Sequence, residues 1–142
     1  MKRLLNYTII LSLSLVVFGC GGPTIDADSD EYDYIETNRK GITTYKGEPF
    51  NGSVTGTHEN GQLSLKSPYK DGRRDGVEES YYENGQLEEK ITFKDGEPNG
   101  TYEEYYENGQ LREKRTYKDG NRDGDTEYYR RNGQPQTADT IQ

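Results

Sequence analysis

Alternating apolar and polar residues, interrupted by glycine-rich turns, set the organisation of this chain. Residues 105–111 read Tyr-Tyr-Glu-Asn-Gly-Gln-Leu, and the same seven residues stand at positions 81–87. The Asn-Gly pair recurs every 24 residues, beginning at Asn60, Asn84, Asn108 and Asn132. An aromatic-Lys pair keeps the same step, at Tyr45-Lys46, Tyr69-Lys70, Phe93-Lys94 and Tyr117-Lys118. A period of this length predicts a repeat array, in which one supersecondary unit stacks on the next.

Within each repeat, the Asn-Gly pair predicts the turn of a β-hairpin. Asn and Gly both accept the positive φ that a type I′ turn requires at its two central positions. With that turn at residues 108–109, the facing pairs would be Tyr106 and Leu111, Tyr105 and Arg112, and Glu103 and Lys114. A Glu/Lys pair recurs at the equivalent positions of the preceding repeat, and such a cross-strand pair contributes roughly 0.2–1 kcal/mol.

Period-2 alternation assigns two faces to each hairpin. The face that we expect to pack carries Tyr102, Tyr106, Leu111 and Tyr117. The other face carries Glu103, Tyr105, Arg112 and Lys114. Because an isolated hairpin is marginal in water, we expect consecutive hairpins to add edge to edge through glycine-rich links. The predicted fold is all-β, a single-layer elongated antiparallel sheet of stacked ~24-residue hairpins.

The composition agrees with an open sheet rather than a closed globular core. Only 28% of the 142 residues are hydrophobic, 13 residues are tyrosines, and there are 17 glycines and no tryptophan. A two-layer domain needs more apolar surface than this to offset its chain entropy. We assign the repeat domain to residues 38–136, with residues 39–50 as a capping half-repeat, and we expect residues 137–142 to be a frayed tail.

The chain is acidic, which argues against nucleic acid as a partner. The formal charge is −8, and loss of Lys2 and Arg3 with an acid-free leader would make it −10. The remaining cations are interleaved with acids, whereas phosphate backbones attract clustered Lys and Arg. The single cysteine cannot form an intramolecular disulfide.

Residues 1–19 have the layout of an export signal. Lys2 and Arg3 precede a mostly apolar run that is shorter than the ~20 residues of a spanning helix. Residues 17–20, Val-Phe-Gly-Cys, resemble the lipobox of bacterial lipoproteins, although Phe18 replaces the usual small or aliphatic residue. The resemblance implies that Cys20 is acylated and holds the protein at the membrane of the cell envelope. The alternative is an uncleaved anchor helix that ends at Cys20.

The segment that follows the leader is rich in acids. Five acidic residues lie between positions 26 and 33, and because such a block repels itself, we predict a flexible tether over residues 20–37. In many diderm bacteria, lipoproteins without an acid directly after the cysteine are released to the outer membrane, and this chain resembles them. Residues 26–30 and 119–124 open like calcium loops, but Thr37 and Arg130 stand where each loop needs a bidentate acid. We interpret both as solvated turns and expect no metal site.

The repeated units between positions 69 and 133 resemble the MORN repeat. They read Tyr-Lys-Asp-Gly-x-x-Asp/Asn-Gly and Tyr-Tyr-Glu-Asn-Gly-Gln-Leu-x-x-Lys, and they are similar to the bacterial variant of the YwqK family, which is often labelled an antitoxin. The resemblance covers residues 39–136. The chain departs from many MORN units in lacking Trp, with Tyr or Glu around that position. The resemblance implies the stacked-hairpin fold and, from the label alone, an antitoxin-like activity.

Residue types that carry catalysis are scarce in this chain. The only histidine is His58, which replaces a hairpin tyrosine, and Cys20 would carry lipid. Neither a phosphate-binding glycine loop nor metal-ligand spacing is present in the sequence. We therefore expect a protein that is not an enzyme and uses no cofactor.

Three tyrosines recur on the face opposite the predicted packed row, and they are the candidate binding residues. They are Tyr81, Tyr105 and Tyr129, flanked by Arg112 and Lys114. Such side chains combine apolar area with a polar tip and suit protein contact; alternatively, they shield the second face of the sheet. The preferred hypothesis is a non-catalytic protein-binding scaffold at the cell envelope. The alternative is an antitoxin or immunity-like protein that neutralises a toxin encountered there.

Overall fold

The structure, a computed structural model, describes residues 22–136. The predicted leader, Cys20 and the tail after residue 136 lie outside the described residues. In chain order the strands are β1 (Thr24–Asp26), β2 (Ile35–Thr37), β3 (Thr43–Tyr45), β4 (Glu48–Pro49), β5 (Gly52–Thr57), β6 (Leu63–Lys70), β7 (Arg73–Arg74), β8 (Gly76–Tyr81), β9 (Leu87–Lys94), β10 (Glu97–Tyr105), β11 (Leu111–Lys118), β12 (Asn121–Arg122) and β13 (Glu127–Tyr128). A short 3-10 helix spans Asp30–Tyr34.

Ten of these strands form one open sheet. Its order is β1-β5-β6-β8-β9-β10-β11-β12, with β7 also on β6 and β13 also on β11. Every pairing is antiparallel except that of β1 with β5. The predicted all-β sheet of hairpin repeats is confirmed. No helix within residues 22–136 is long and apolar enough to cross a membrane.

The type I′ turn predicted at residues 108–109 is wrong. Gly109 donates its N–H to the Tyr106 carbonyl at 2.8 Å, and Tyr106 donates its own to Gln110 at 2.8 Å. Gly109 has a φ of +78°, but Asn108 is not in the positive region. This geometry is a type I turn followed by a G1 bulge, which inserts one extra residue into the second strand.

The bulge changes which residues face each other near the turn. Glu103 pairs with Lys114 as predicted, but the register shifts between Glu104 and Tyr105, so that Tyr105 pairs with Leu111. The same shift pairs Tyr81 with Leu87 in the preceding repeat. The predicted Tyr106/Leu111 and Tyr105/Arg112 pairs therefore do not form, and each leucine lies on the same face as the first tyrosine of its motif.

The type I′ turn is found instead at the Asp-Gly pairs that link the repeats. Asp95 and Gly96 have φ of +51° and +92°, and they join Lys94 to Glu97 across the end of the β9–β10 hairpin. The equivalent residues 71–72 and 119–120 have the same pair of positive φ values. The two turn types thus alternate along the chain: the turns with G1 bulges lie at one end of the strands, and the type I′ turns lie at the other end.

A small core at the N-terminal end differs from the tether that the sequence predicts for residues 20–37. Ile25 in β1 is 1% exposed and packs with Val54 and Phe50. β2 pairs with β3, and β3 with β4, in a separate three-stranded sheet that provides the capping half-repeat. The acids of this segment lie at positions that are exposed or only partly buried. Their charges therefore remain in contact with solvent while Ile25 packs against the first repeat.

Candidate protein-binding face

The two faces of the ten-stranded sheet have different surfaces. We call inner the face that carries Val54, Phe93 and Tyr102, all of which are buried. The other face, which we call the outer face, carries a row of charged residues that runs across six strands. Their signs alternate along the row, because each residue is paired in register with the next on β6, β8, β9, β10, β11 and β13: Lys66, Glu79, Lys90, Glu103, Lys114 and Glu127.

This charge row is a continuous feature of the sheet rather than a set of separate hairpin pairs. Lys114 Nζ lies 3.8 Å from Glu103 Oε1, and the Glu103 side chain retains 20% of its exposure. Opposite charges on neighbouring strands stabilise the register by roughly 0.2–1 kcal/mol per pair. The sequence predicted the Glu/Lys pairs within each hairpin. It did not predict the charge row, because the pattern within one repeat does not determine how neighbouring hairpins pair.

The three predicted tyrosines lie beside this row, one per repeat. Each phenol O–H donates to the carboxylate two residues earlier: Tyr81 to Glu79 at 3.0 Å, Tyr105 to Glu103 at 2.9 Å, and Tyr129 to Glu127 at 2.5 Å. All three rings are partly buried. One strand lies between successive tyrosines, so they are two strand spacings, roughly 10 Å, apart along the sheet.

The environment of these phenols favours their neutral form. Desolvation, together with the Glu103 carboxylate that accepts the hydrogen bond, raises the pKa of Tyr105 to about 12. Burial and Glu79 raise the pKa of Tyr81, and the Glu127 hydrogen bond raises that of Tyr129. A carboxylate acceptor resists the second negative charge that ionisation of the phenol would create. The tyrosines therefore stay protonated and oriented over the physiological pH range.

The structure separates Arg112 from the other predicted site residues. Lys114 lies on the same face as Tyr105, as expected, and it belongs to the charge row. Arg112 has no partner on β10, because the register shift leaves it between Leu111 and Glu113. Its Nη1 lies 2.6 Å from Glu104 Oε1, and its guanidinium lies 5.9 Å from the Tyr106 ring centroid. Glu104 and Tyr106 point to the inner face, so Arg112 does not flank Tyr105. Leu111 takes that place on the outer face.

Two arginines stack on aromatic rings of the inner face. The Arg74 guanidinium lies 3.9 Å from the Phe93 ring centroid, and that of Arg115 lies 3.9 Å from Tyr102. Arg115 also pairs with Glu113 at 2.8 Å. Phe93 and Tyr102 are therefore each in contact with an arginine of the same chain.

The remaining residues of the seven-residue motif connect one repeat to the next. Tyr82 donates its O–H to the Tyr105 carbonyl at 2.7 Å, and Tyr106 donates to Tyr129 at 2.9 Å. His58 Nε2 makes the equivalent 2.7 Å contact with the Tyr81 carbonyl, so the histidine substitutes for the missing tyrosine, as predicted. These inter-repeat bonds leave the first tyrosine and the leucine as the motif residues on the outer face.

Within residues 22–136, no group of three or more His, Cys, Asp or Glu side chains is arranged to hold a metal ion. The partial calcium-loop segment at 26–30 forms a turn in which Asp26 Oδ1 accepts the Asp28 N–H at 3.0 Å.

Comparison with known families agrees with the repeat geometry. Two segments, residues 74–95 and 98–119, match the family described as the MORN repeat variant. Each matched segment begins close to the type I′ turn of one hairpin and ends at the next, so the matched unit corresponds to the structural one. Residues 74–119 are therefore similar to two consecutive repeats of this family. Neither a curated protein nor a solved structure matches the chain.

Proposed function

We propose that this protein is a non-catalytic scaffold that binds a protein partner through the outer face of its MORN-type sheet. The observation that carries the proposal is the row of Tyr81, Tyr105 and Tyr129, each oriented by a carboxylate two residues earlier. Side chains that are held before binding lose less conformational freedom on association. Tyrosines are also enriched among residues that dominate binding energy.

The test is capture of partners from envelope extracts by a soluble fragment of residues 21–142. Replacement of all three tyrosines by Ala is expected to abolish capture while circular dichroism still reports a β-sheet. Tyr128→Ala is the matched control. Tyr128 is 46% exposed and lies directly before Tyr129, but its side chain lies on the inner face. Equal capture by the triple variant and the wild type would reject the outer face as the binding surface.

The proposed location is the cell envelope, with lipid on Cys20 as the anchor, and the outer membrane if the host has two membranes. Residues 17–20 carry this part of the proposal. Metabolic labelling with a fatty-acid analogue is expected to mark the full-length chain, and Cys20→Ser is expected to remove the label. Labelling that survives the substitution would exclude Cys20 as the acylated residue.

An antitoxin-like role is the second candidate, and it rests on the resemblance to the YwqK variant alone. It predicts one dominant partner that is an exported toxin, together with loss of that toxin's activity when the fragment is added. A partner whose activity is unchanged by binding would leave the scaffold role in place and remove the antitoxin one.

A further inference from the structure

The outer face is complementary to itself when its charge row is read in the opposite direction. From β6 to β13 the signs run plus, minus, plus, minus, plus, minus, at Lys66, Glu79, Lys90, Glu103, Lys114 and Glu127. Reversal of a row of six alternating charges exchanges every plus for a minus. A second copy laid face to face with its row reversed therefore places a Lys opposite a Glu at every position.

A second row of side chains has the same property. At the bulge end of the same strands, leucines and tyrosines alternate on the outer face, in the order Leu63, Tyr81, Leu87, Tyr105, Leu111 and Tyr129. The reversed row places each tyrosine ring opposite a leucine of the second copy. Large rings then meet smaller aliphatic side chains rather than one another.

The charges also decide between the two ways in which sheets can stack by a two-fold rotation. An axis parallel to the strands reverses the row and brings Lys90 against Glu103 of the second copy, twice. An axis parallel to the row would place each Lys opposite the same Lys of the second copy, where like charges repel. Both rows favour the first axis, which gives a closed dimer in which the same patch is used twice.

We propose that the outer face binds a second copy of this chain about a two-fold axis parallel to the strands, between β9 and β10. This inference deepens the proposed function, since it names the partner of the same face. Five strands of about five residues and the two-residue β13 offer roughly 400 Å² per copy, and the total lies in the size range of weak, transient interfaces. Sheet twist separates the outer strands, so the Lys90–Glu103 contacts at the centre dominate.

The test uses two full-length copies with different C-terminal tags, co-expressed and extracted in a non-ionic detergent at low salt. Wild-type copies are expected to co-purify. Glu103→Lys paired with itself places Lys against Lys at both central contacts, and Lys90→Glu paired with itself places Glu against Glu. Each single variant is expected to recover at least about tenfold less of its tagged copy.

The decisive arm combines the two variants. Glu103→Lys in one copy and Lys90→Glu in the other restore an opposite-charge pair at both central contacts, so co-purification is expected to return. Recovery in this arm also shows that both variants fold. Glu83→Lys, which makes the same charge change at an exposed turn residue, is expected to co-purify like the wild type.

Three outcomes would overturn the proposal: wild-type copies that do not co-purify, single variants that co-purify as well as the wild type, or a mixed pair that fails while both variants retain their β-sheet signal. If the chain does not self-associate but the outer face still captures a different protein, this inference alone is excluded. Loss of both would remove the proposed function as well.

Discussion

The pKa of the Tyr105 phenol is a property of one residue that can be measured directly. Its pKa is raised from 10 to about 12 by burial and by the Glu103 carboxylate. A phenol with a raised folded-state pKa stabilises the fold fully below pH 10, and this stabilisation is lost as the pH rises through about 12, because the unfolded chain releases the proton first.

We expect alkaline titration, followed by tyrosinate absorbance, to show fewer phenols ionising near pH 10 in the wild type than in Glu103→Gln. The amide removes the negative charge that opposes ionisation, so the pKa of Tyr105 should fall. Tyr105→Phe should delete the same high-pH component. Identical titration curves for Glu103→Gln and the wild type would contradict the assignment of Glu103 as the cause.

Substitution of two glycines distinguishes two ways in which an added Cβ lowers the stability of the fold: an unfavourable backbone conformation and a steric clash. Gly61 has a φ of +80° and open space around a Cβ built on it, whereas a Cβ on Gly72, at φ of +76°, would lie 2.5 Å from the Thr43 carbonyl oxygen. Gly61→Ala should cost about 1–2 kcal/mol from the left-handed conformation alone. Gly72→Ala should cost a further 1–3 kcal/mol. Thermal unfolding measures both, and equal losses would exclude a steric role for the Gly72 site.

At the scale of the hairpin, the asparagines at positions 60, 84 and 108 each bridge two repeats. Asn84 Nδ2 donates to the Glu107 carbonyl of the next repeat at 3.0 Å, while its Oδ1 accepts the Gln86 N–H at 2.9 Å. Asn60 and Asn108 make the same inter-repeat bond. Asn132 keeps the local bond to Gln134 but, among the described residues, has no following repeat to reach.

We predict that Asn84→Asp lowers the free energy of unfolding by about 1 kcal/mol or more, because the donor is lost while the local acceptor remains. Asn132→Asp makes the same chemical change where no inter-repeat acceptor lies within the described chain, so its effect should be close to zero. Denaturant unfolding compares the two. Equal destabilisation would place the effect in the turn rather than between repeats.

The turn type could not be predicted from one hairpin for a related reason. Asn-Gly is compatible with a type I′ turn and with a type I turn followed by a bulge, and in the structure the Asn side chain bonds a carbonyl 23 residues later. Local turn chemistry cannot include that contact. The predicted register was therefore correct for Glu103, which lies farther from the turn, and wrong for Tyr105, which lies next to the turn.

The candidate site was predictable to the same extent. Period-2 alternation correctly placed Tyr105 and Lys114 on one face, because both lie in regular register or directly beside the bulge. It failed for Arg112, which the register shift leaves without a partner on β10, and for Leu111, which lies opposite Tyr105 on the outer face. The fold class was fully predictable, since spacing and turn residues repeat over several units.

At the scale of the whole molecule, the acidic segment before the repeats acts as part of the fold. Composition predicted a solvated tether, but Ile25 is 1% exposed against Val54 and Phe50. In a repeat array each unit contacts only its neighbours, so the first hairpin has one neighbouring repeat and depends on this segment for its second contact surface. Counting acids could not reveal a single buried isoleucine.

We therefore predict that Ile25→Ala lowers the free energy of unfolding by about 2–5 kcal/mol, a fall in Tm of roughly 10 °C or more. Tyr32→Ala, in the same segment but 41% exposed, should change Tm little. Because the repeats are coupled only through their neighbours, hydrogen exchange should accelerate in β5 and β6 before it does in β10 and β11. A flexible tether predicts the opposite result, in which neither substitution alters Tm and exchange in β5 is unchanged. The comparison of Ile25→Ala with Tyr32→Ala thus decides whether the sheet begins at residue 24 or at the first repeat.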